Sequence, residues 1–275
     1  MNALKPYMQT FLSRIGVYHR LKASHLYDLY WNISNKRVIN ERQREVEFYR
    51  KVLQGLPKPA LIFDIGANQG YKTDIFLRLG ARVVAIEPDK SNQAILNQKF
   101  LRYRFVNKQV VVVGKALSDK NAVETMWIDA PGSGKNSLSL KWVESLRGNP
   151  TRFGARLEFR EQRQVETTTV EQLINIYGRP FFIKIDVEGY EAMVLQGLER
   201  PVPYLSFEVN LPDFKSEGLQ CVERLRELDA KGSFNYAADC LDQLELKQWL
   251  HASEFRKVLE GCQEKSIEVF WKASI

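Results

Sequence analysis

The sequence predicts a doubly wound α/β domain built on a mostly parallel, seven-stranded sheet, with an N-terminal helical extension. Three observations carry that expectation. From Leu61 onward, short apolar runs alternate with helical stretches, as parallel strands joined by crossover helices do. The first run, Leu61-Ile62-Phe63-Asp64-Ile65, breaks into Gly66-Ala67-Asn68-Gln69-Gly70 just before a helical segment. Ahead of Pro57 and Pro59 the apolar residues instead follow a helical period, so residues 1–56 form the extension and 57–275 the α/β domain.

Taken in order, the extension mixes Met8, Phe11, Ile15, Leu21 and Leu29 with basic residues at loosely helical spacing. Residues 41–56 place Val46, Tyr49, Leu53 and Leu56 on one helical face and stop at Gly55 and Pro57. Strands are expected at Leu61–Ile65, Arg82–Ile86, Val110–Val113, 181–185 and 204–209, with helices starting near Gly70, Ser91, Thr169, Tyr190 and Gly218. Two last strands, Ser233–Ala237 and 267–272, enclose a polar helical insertion over 241–261. Residues 130–164 are a long insertion with glycine break points and seven Lys/Arg against three Glu, placed to close over an acceptor with Asn136, Ser137 and Trp142 facing it.

Composition narrows the function classes. The chain has 275 residues, 44% hydrophobic and 27% charged, which excludes disorder, collagen and a coiled coil. Its net charge of +7 resides in residues 1–60, which hold 11 Lys/Arg against 4 Asp/Glu. That basic segment either packs on the following domain or, through residues 1–40, meets an acidic membrane surface or a partner protein. No apolar run approaches the roughly 18 residues of a membrane-spanning helix. Lys5, Arg14, Arg20 and Lys22 interrupt every signal-like stretch, so the expected location is cytoplasmic, with a peripheral membrane contact as an option. Cys221, Cys240 and Cys262 lack metal-site or disulfide spacing and read as buried free thiols. Basic residues are not interleaved with aromatics in a recognisable module, so no nucleic-acid partner is expected.

The first βα turn suits a ribose-bearing ligand. Glycine permits the sharp turn and close approach to a helix N-terminus, and Glu87, at the end of the second strand, lies 21 residues after Gly66, where a carboxylate accepts ribose hydroxyls. Asn68 replaces the second glycine of a dinucleotide fingerprint. Asp64, at the strand's end, would oppose a pyrophosphate but attract the ammonium and sulfonium of S-adenosylmethionine. Gly134-Lys135 fails as a phosphate loop, because Asp129 stands at the earlier glycine position and Asn136 follows.

The fourth strand brings further charge. Lys184, Asp186 and Glu188 alternate, so a persisting strand projects all three to one side of the crevice. Glu208 and Asn210 end the fifth strand. Asp186, Glu208 and Asn210 offer oxygens of the kind Mg²⁺ accepts; a divalent metal is compatible with them but not expected. Otherwise they orient an acceptor hydroxyl or hold the ammonium of the cofactor.

With these stretches in view, the sequence resembles the FkbM-type family of S-adenosylmethionine-dependent methyltransferases. The resemblance rests on residues 63–70, Ala85-Ile86-Glu87-Pro88, Ala116-Leu117-Ser118-Asp119, Asn136-Ser137-Leu138 and Ile183-Lys184-Ile185-Asp186-Val187-Glu188-Gly189-Tyr190-Glu191, and spans roughly residues 61–210. It implies a Rossmann-like class I methyltransferase fold and O-methylation of hydroxyls in polyketides, sugars or other glycan components. It further implies that Asp64, Gly66, Asn68 and Gly70 surround the cofactor's methionine part, Glu87 its ribose, and Ser118 and Asp119 its adenine.

Methyl transfer from a sulfonium is an in-line displacement that needs an aligned acceptor and a proton acceptor. His19, His25 and His251 all fall outside the motifs. Asp186 is therefore the first candidate base, with Glu188 or Glu208 second and Lys184 tuning the carboxylate. The basic insertion suggests an anionic small-molecule or glycan acceptor. Two other readings stay open: a scaffold that keeps the cofactor fold and works through its N-terminal helices, and an NAD-dependent oxidoreductase.

Overall fold

The structure, a computed structural model, describes residues 36–105, 109–148 and 157–275. The expected helices of residues 1–35, together with His19 and His25, lie outside the described residues.

The elements run α1 (Lys36–Val52), β1 (Leu61–Ile65), α2 (Tyr71–Arg78), β2 (Arg82–Ile86), α3 (Lys90–Lys99), α4 (Leu101–Phe105), β3 (Val110–Val113), β4 (Ala116–Leu117), β5 (Val123–Ile128), α5 (Leu140–Gly148), β6 (Glu161–Thr168), α6 (Val170–Tyr177), β7 (Phe182–Ile185), α7 (Glu191–Gln196), β8 (Tyr204–Asn210), α8 (Lys215–Leu228), β9 (Ser233–Ala237), β10 (Leu250–His251), α9 (Ala252–Gly261) and β11 (Ser266–Lys272). The main sheet is ordered β10-β9-β11-β8-β7-β1-β2-β3. Strands β3, β2, β1, β7 and β8 pair in parallel, and β11 lies antiparallel between β8 and β9. The strand order reverses between β1 and β7, so both strands end on a crevice. The seven expected strands are present; the eighth, β10, is a two-residue antiparallel addition at the edge.

Alternation in the strands decides what faces each side. Phe63 and Ile65 of β1, Ile183 and Ile185 of β7, and Leu205 and Phe207 of β8 join one core, against α6, α7, α8 and α9. The opposite face carries Ile62, Phe182, Tyr204 and Phe270, covered by Phe48, Tyr49 and Val52 of α1, Leu53 just beyond it and Phe76 of α2. Tyr49 is edge-on to Phe76 at 5.2 Å, and its hydroxyl donates to Glu268 at 3.1 Å. The described helix of the extension is thus a layer of the α/β core.

Three expectations need correction. Residues 241–249 are not helical; only α9 is, because the preceding stretch makes turns pinned by Asn235, whose side chain bonds both N–H and C=O of Leu246. The segment read as a long insertion over the acceptor contributes α5 and the start of β6, and β6 pairs with β4 and β5 in a second, three-stranded sheet. Polar, half-exposed β6 (Glu-Gln-Arg-Gln-Val-Glu-Thr-Thr) has too little apolar alternation to read as a strand. Cys221 and Cys240 are buried free thiols, but Cys262 is only half-buried.

Candidate active site

A cleft with about 740 Å³ of open space lies at the carboxyl ends of β1, β2 and β7. Its floor is the first βα turn. Gly66 (φ 79°) donates its N–H to Ile86 O at 3.0 Å, and a Cβ on it would stand 1.8 Å from Asp186 O, so only glycine lets β1 and β7 close here. Gly70 (φ 77°) precedes α2 and is roofed by Phe100, which a Cβ would meet at 2.4 Å; it shapes the turn without lining the cleft. Asn68 lines the cleft in a left-handed conformation, φ 47°.

Glu87 also lines the cleft. One of its oxygens accepts from the Asn68 N–H and the other from the Asp89 N–H, both at 2.8 Å. Burial pushes its carboxyl up to about 7, against those amides. Asp89 caps α3 through the Ser91 N–H at 2.7 Å, while its second oxygen accepts from Gly132 N–H at 3.0 Å and Asn136 Nδ2 at 2.8 Å. It therefore ties the covering loop to the cleft. Ser137 lines the cleft too, donating to Glu188 O at 2.8 Å.

The carboxylates meet beyond β7. One oxygen each from Asp186, Glu188 and Glu208 lies within 4.8 Å of the others, the set among the described residues that could hold a metal ion. Asp186 and Glu188 line the cleft; Glu208 stands behind them, accepting from Ser266 Oγ at 2.7 Å and Asn210 Nδ2 at 3.1 Å. Burial alone would raise Asp186, but Lys184 Nζ at 2.7 Å outweighs it and holds that carboxyl below its usual range. Burial works against the Lys184 charge as well, yet Asp186, Glu268 and Asp64 keep its ammonium strongly protonated. Burial and then the Asp186 charge push Glu208 up to about 8; burial, Glu208 and Asp186 raise Glu188 well above its ordinary value. Lys184 thus favours the ionised form of Asp186, while burial and the neighbouring charge favour the protonated forms of Glu188 and Glu208.

Other expected residues lie elsewhere. Asp64 is fully buried under the sheet, opposite Lys184 in register, and accepts from Thr73 Oγ1 at 2.5 Å; it is not part of the cleft lining. Alternation explains this, since Phe63 and Ile65 take the other face. Asp186, not Asp64, brings negative charge to the cleft at this end of the sheet. Ser118 is buried and reaches the site through Tyr190, whose hydroxyl is 3.4 Å from Ser118 Oγ; Asp119 follows at 3.1 Å from the same oxygen. Trp142 does not face the cleft but sits in a covering core with Leu146, Phe159 and Phe214, its indole N–H bonded to Lys135 O at 3.0 Å. Several cations of the insertion are engaged internally, Arg147 with the Glu158 and Phe159 carbonyls, Arg163 with Glu161 and Lys141 with Glu217.

Asn92, Met126 and Tyr190 line the cleft without having been singled out. Tyr190 follows Gly189 in the run that ends the fourth strand; Asn92 and Met126 carry no sequence signal. The lining also leaves acceptors without partners, the Oδ1 atoms of Asn68 and Asn92; behind Tyr190, Oε1 of Glu124 is likewise unpartnered, its other oxygen taking the Tyr190 hydroxyl at 2.7 Å. Buried acceptors of this kind match a ligand rich in N–H and O–H donors, as an adenosine-bearing amino acid is.

Residues 64–233 match the Methyltransferase FkbM domain. The chain belongs to the FkbM methyltransferase family. The match begins at Asp64 in β1 and ends at Ser233, leaving α1 and β11 outside it. Among solved structures, the chain is similar to the methyltransferase FkbM of Methylobacillus flagellatus KT, at 16% identity and TM-score 0.49 over 82% of this chain and 47% of that one. It thus spans about half the length of that relative. It is also similar to the precorrin-6y C5,15-methyltransferase of Geobacter metallireducens GS-15, at 10% identity and TM-score 0.41 over 84% and 86% of the two chains. A third is the plantazolicin methyltransferase BpumL in complex with SAH, at 9% identity and TM-score 0.43 over 99% and 100%. No curated protein matches the sequence. Among the described residues, no helix of this FkbM-family chain is long and apolar enough to cross a membrane.

Proposed function

We propose that this FkbM-family chain transfers the methyl group of S-adenosylmethionine to a hydroxyl oxygen of a glycan, a polyketide or a related metabolite. The observation that carries the reading is Asp186, which lines the cleft with its carboxylate held toward the ionised form by Lys184 at 2.7 Å, beside two carboxyls that burial pushes toward the protonated form. The cofactor supplies an electrophilic methyl whose sulfonium charge disappears on transfer. Glu87 and the open oxygens of Asn68 and Asn92 would hold its hydroxyl and amino donors, and Gly66 admits it to the backbone. Asp186 accepts the hydrogen bond of the acceptor hydroxyl and orients its lone pair. As the new C–O bond forms, the attacking oxygen becomes strongly acidic, so a carboxylate of low pKa is a sufficient proton acceptor. Glu188 and Glu208 are the next candidates, and Lys184 keeps Asp186 charged. The donor set is also compatible with a divalent cation, which would orient the acceptor in the same place.

The test is transfer of labelled methyl from S-adenosylmethionine to a panel of sugars and polyketide alcohols. Asp186→Asn should lower the transfer rate by about 10²-fold or more. Its affinity for S-adenosylhomocysteine should remain within a few-fold. An unchanged rate removes Asp186 from the reaction; absence of S-adenosylhomocysteine binding by the wild type removes the cofactor and the reading with it.

A further inference from the structure

A second feature lies away from the carboxylates. Tyr71, Leu101, Tyr103 and Phe105 are large side chains left exposed, at 54%, 53%, 38% and 70%. Tyr71 and Tyr103 are linked in space through Lys99 and Phe100, and Leu101 and Phe105 flank Tyr103 on the same short helix. Lys99 Nζ stands 5.7 Å from the Tyr71 ring centre and 5.3 Å from that of Phe100, whose ring is 6.4 Å from Tyr103. Arg42 of α1 lies over Tyr71 at 5.1 Å and also pairs with Asp74, and Arg104 lies over Phe105 at 5.7 Å. Helix α4 alternates apolar and cationic residues, Leu101-Arg102-Tyr103-Arg104-Phe105, and residues 90–118 contain six Lys/Arg and no Asp or Glu. Lys99 also donates to the carbonyls of Gln69 and Gly70 at 3.2 Å, which sets the patch beside the turn that enters α2.

We propose that this face docks on an anionic lipid surface. Exposed aromatic and aliphatic side chains interleaved with arginine suit the boundary between headgroups and acyl chains, the rings entering it while the guanidinium groups meet lipid phosphates. The single sign of charge across residues 90–118 is complementary to an acidic leaflet. Leu101, which neither stacks nor hydrogen-bonds, favours lipid over a nucleic acid.

Cosedimentation of the full chain with vesicles tests this, using phosphatidylcholine alone and phosphatidylcholine mixed with phosphatidylglycerol. Binding is expected only to the mixed vesicles, and high salt should remove it. The double variant Arg102→Glu/Arg104→Glu should lose at least tenfold in partitioning, since each cation near an anionic leaflet is worth roughly fivefold. Leu101→Ser/Phe105→Ser should weaken it comparably, while Ile176→Ser, exposed to 67% on α6, should leave it unchanged. Hydrogen exchange of the wild type on the same vesicles reads the location without substitution, and protection should include residues 99–105. Protection confined to residues 1–56, equal binding by the charge-reversed variant, self-association that the serine variant abolishes, or binding of RNA in place of vesicles would each overturn the proposal.

Discussion

Asp186 and Glu208 carry the same functional group within 4.8 Å of each other, yet hold different charges at neutral pH because only Asp186 has the Lys184 ammonium as an ion-pair partner. Buried like charges cannot all ionise, so Lys184 selects which carboxylate stays negative. Glu87 illustrates a different balance, with burial lifting it to about 7 against two backbone amides. If the ribose hydroxyls donate to its ionised form, S-adenosylhomocysteine affinity should rise as pH passes upward through about 7, and Glu87→Gln should flatten that dependence in calorimetric titrations. Gly66 admits no side chain. Gly66→Ala puts a Cβ 1.8 Å from Asp186 O at a φ of 79°. The left-handed backbone alone costs about 1–2 kcal/mol, so denaturant titration should show a larger loss than that, accompanied by weaker S-adenosylhomocysteine binding. Gly66 and Glu87 were legible in the sequence because their positions follow from strand ends. The burial of Asp64 was legible only through strict alternation, which the attraction of a carboxylate beside a glycine turn obscured.

Between the strands and the cover, one contact joins two elements. Phe214, just ahead of α8, packs on Trp142 of α5 with ring centres 5.6 Å apart and stands where a Cβ on Gly189 would meet it at 2.4 Å. It thereby supports the turn that places Glu188 at φ 57°. Glu191 completes that turn by accepting from the Val187 N–H at 3.0 Å and the Gly189 N–H at 3.3 Å. Phe214→Ala should cost about 3–5 kcal/mol, read from chemical denaturation, by opening a cavity between the cover and α8. The element boundaries show why local pattern succeeds or fails. β1, β2 and β3 are short, apolar and flanked by turns, so Leu61–Ile65, Arg82–Ile86 and Val110–Val113 fall where the sequence puts them. β5 and β6 meet each other in a cover with much solvent exposure, and the Arg163 and Gln164 of β6 hide its strand character.

For the molecule as a whole, the buried carboxyls shape stability against pH. Glu87 and Glu191 are lifted to about 7 and Glu208 to about 8 from an ordinary 4.5, burial being the main cause in each. A raised folded-state value means that the folded chain binds protons the unfolded chain has released. Their contribution is complete below about pH 4.5 and is lost as pH rises toward 8, so the urea midpoint of the ligand-free protein should fall across that window. Glu208→Gln should reduce the fall; a midpoint rising with pH would show that other groups dominate.

By itself the sequence determined the α/β class, the strand ends that carry Gly66, Glu87, Asp186 and Glu208, and membership of a methyltransferase family. The class and the strand ends follow from apolar period and glycine placement, which act over a few residues, and the family from its resemblance in the motif stretches. Tertiary structure alone decided that Trp142 belongs to a core, that Asn92 and Met126 line the cleft, and which carboxylate keeps its charge. Those outcomes depend on strand register and on burial beside residues distant in sequence, and no local period records either.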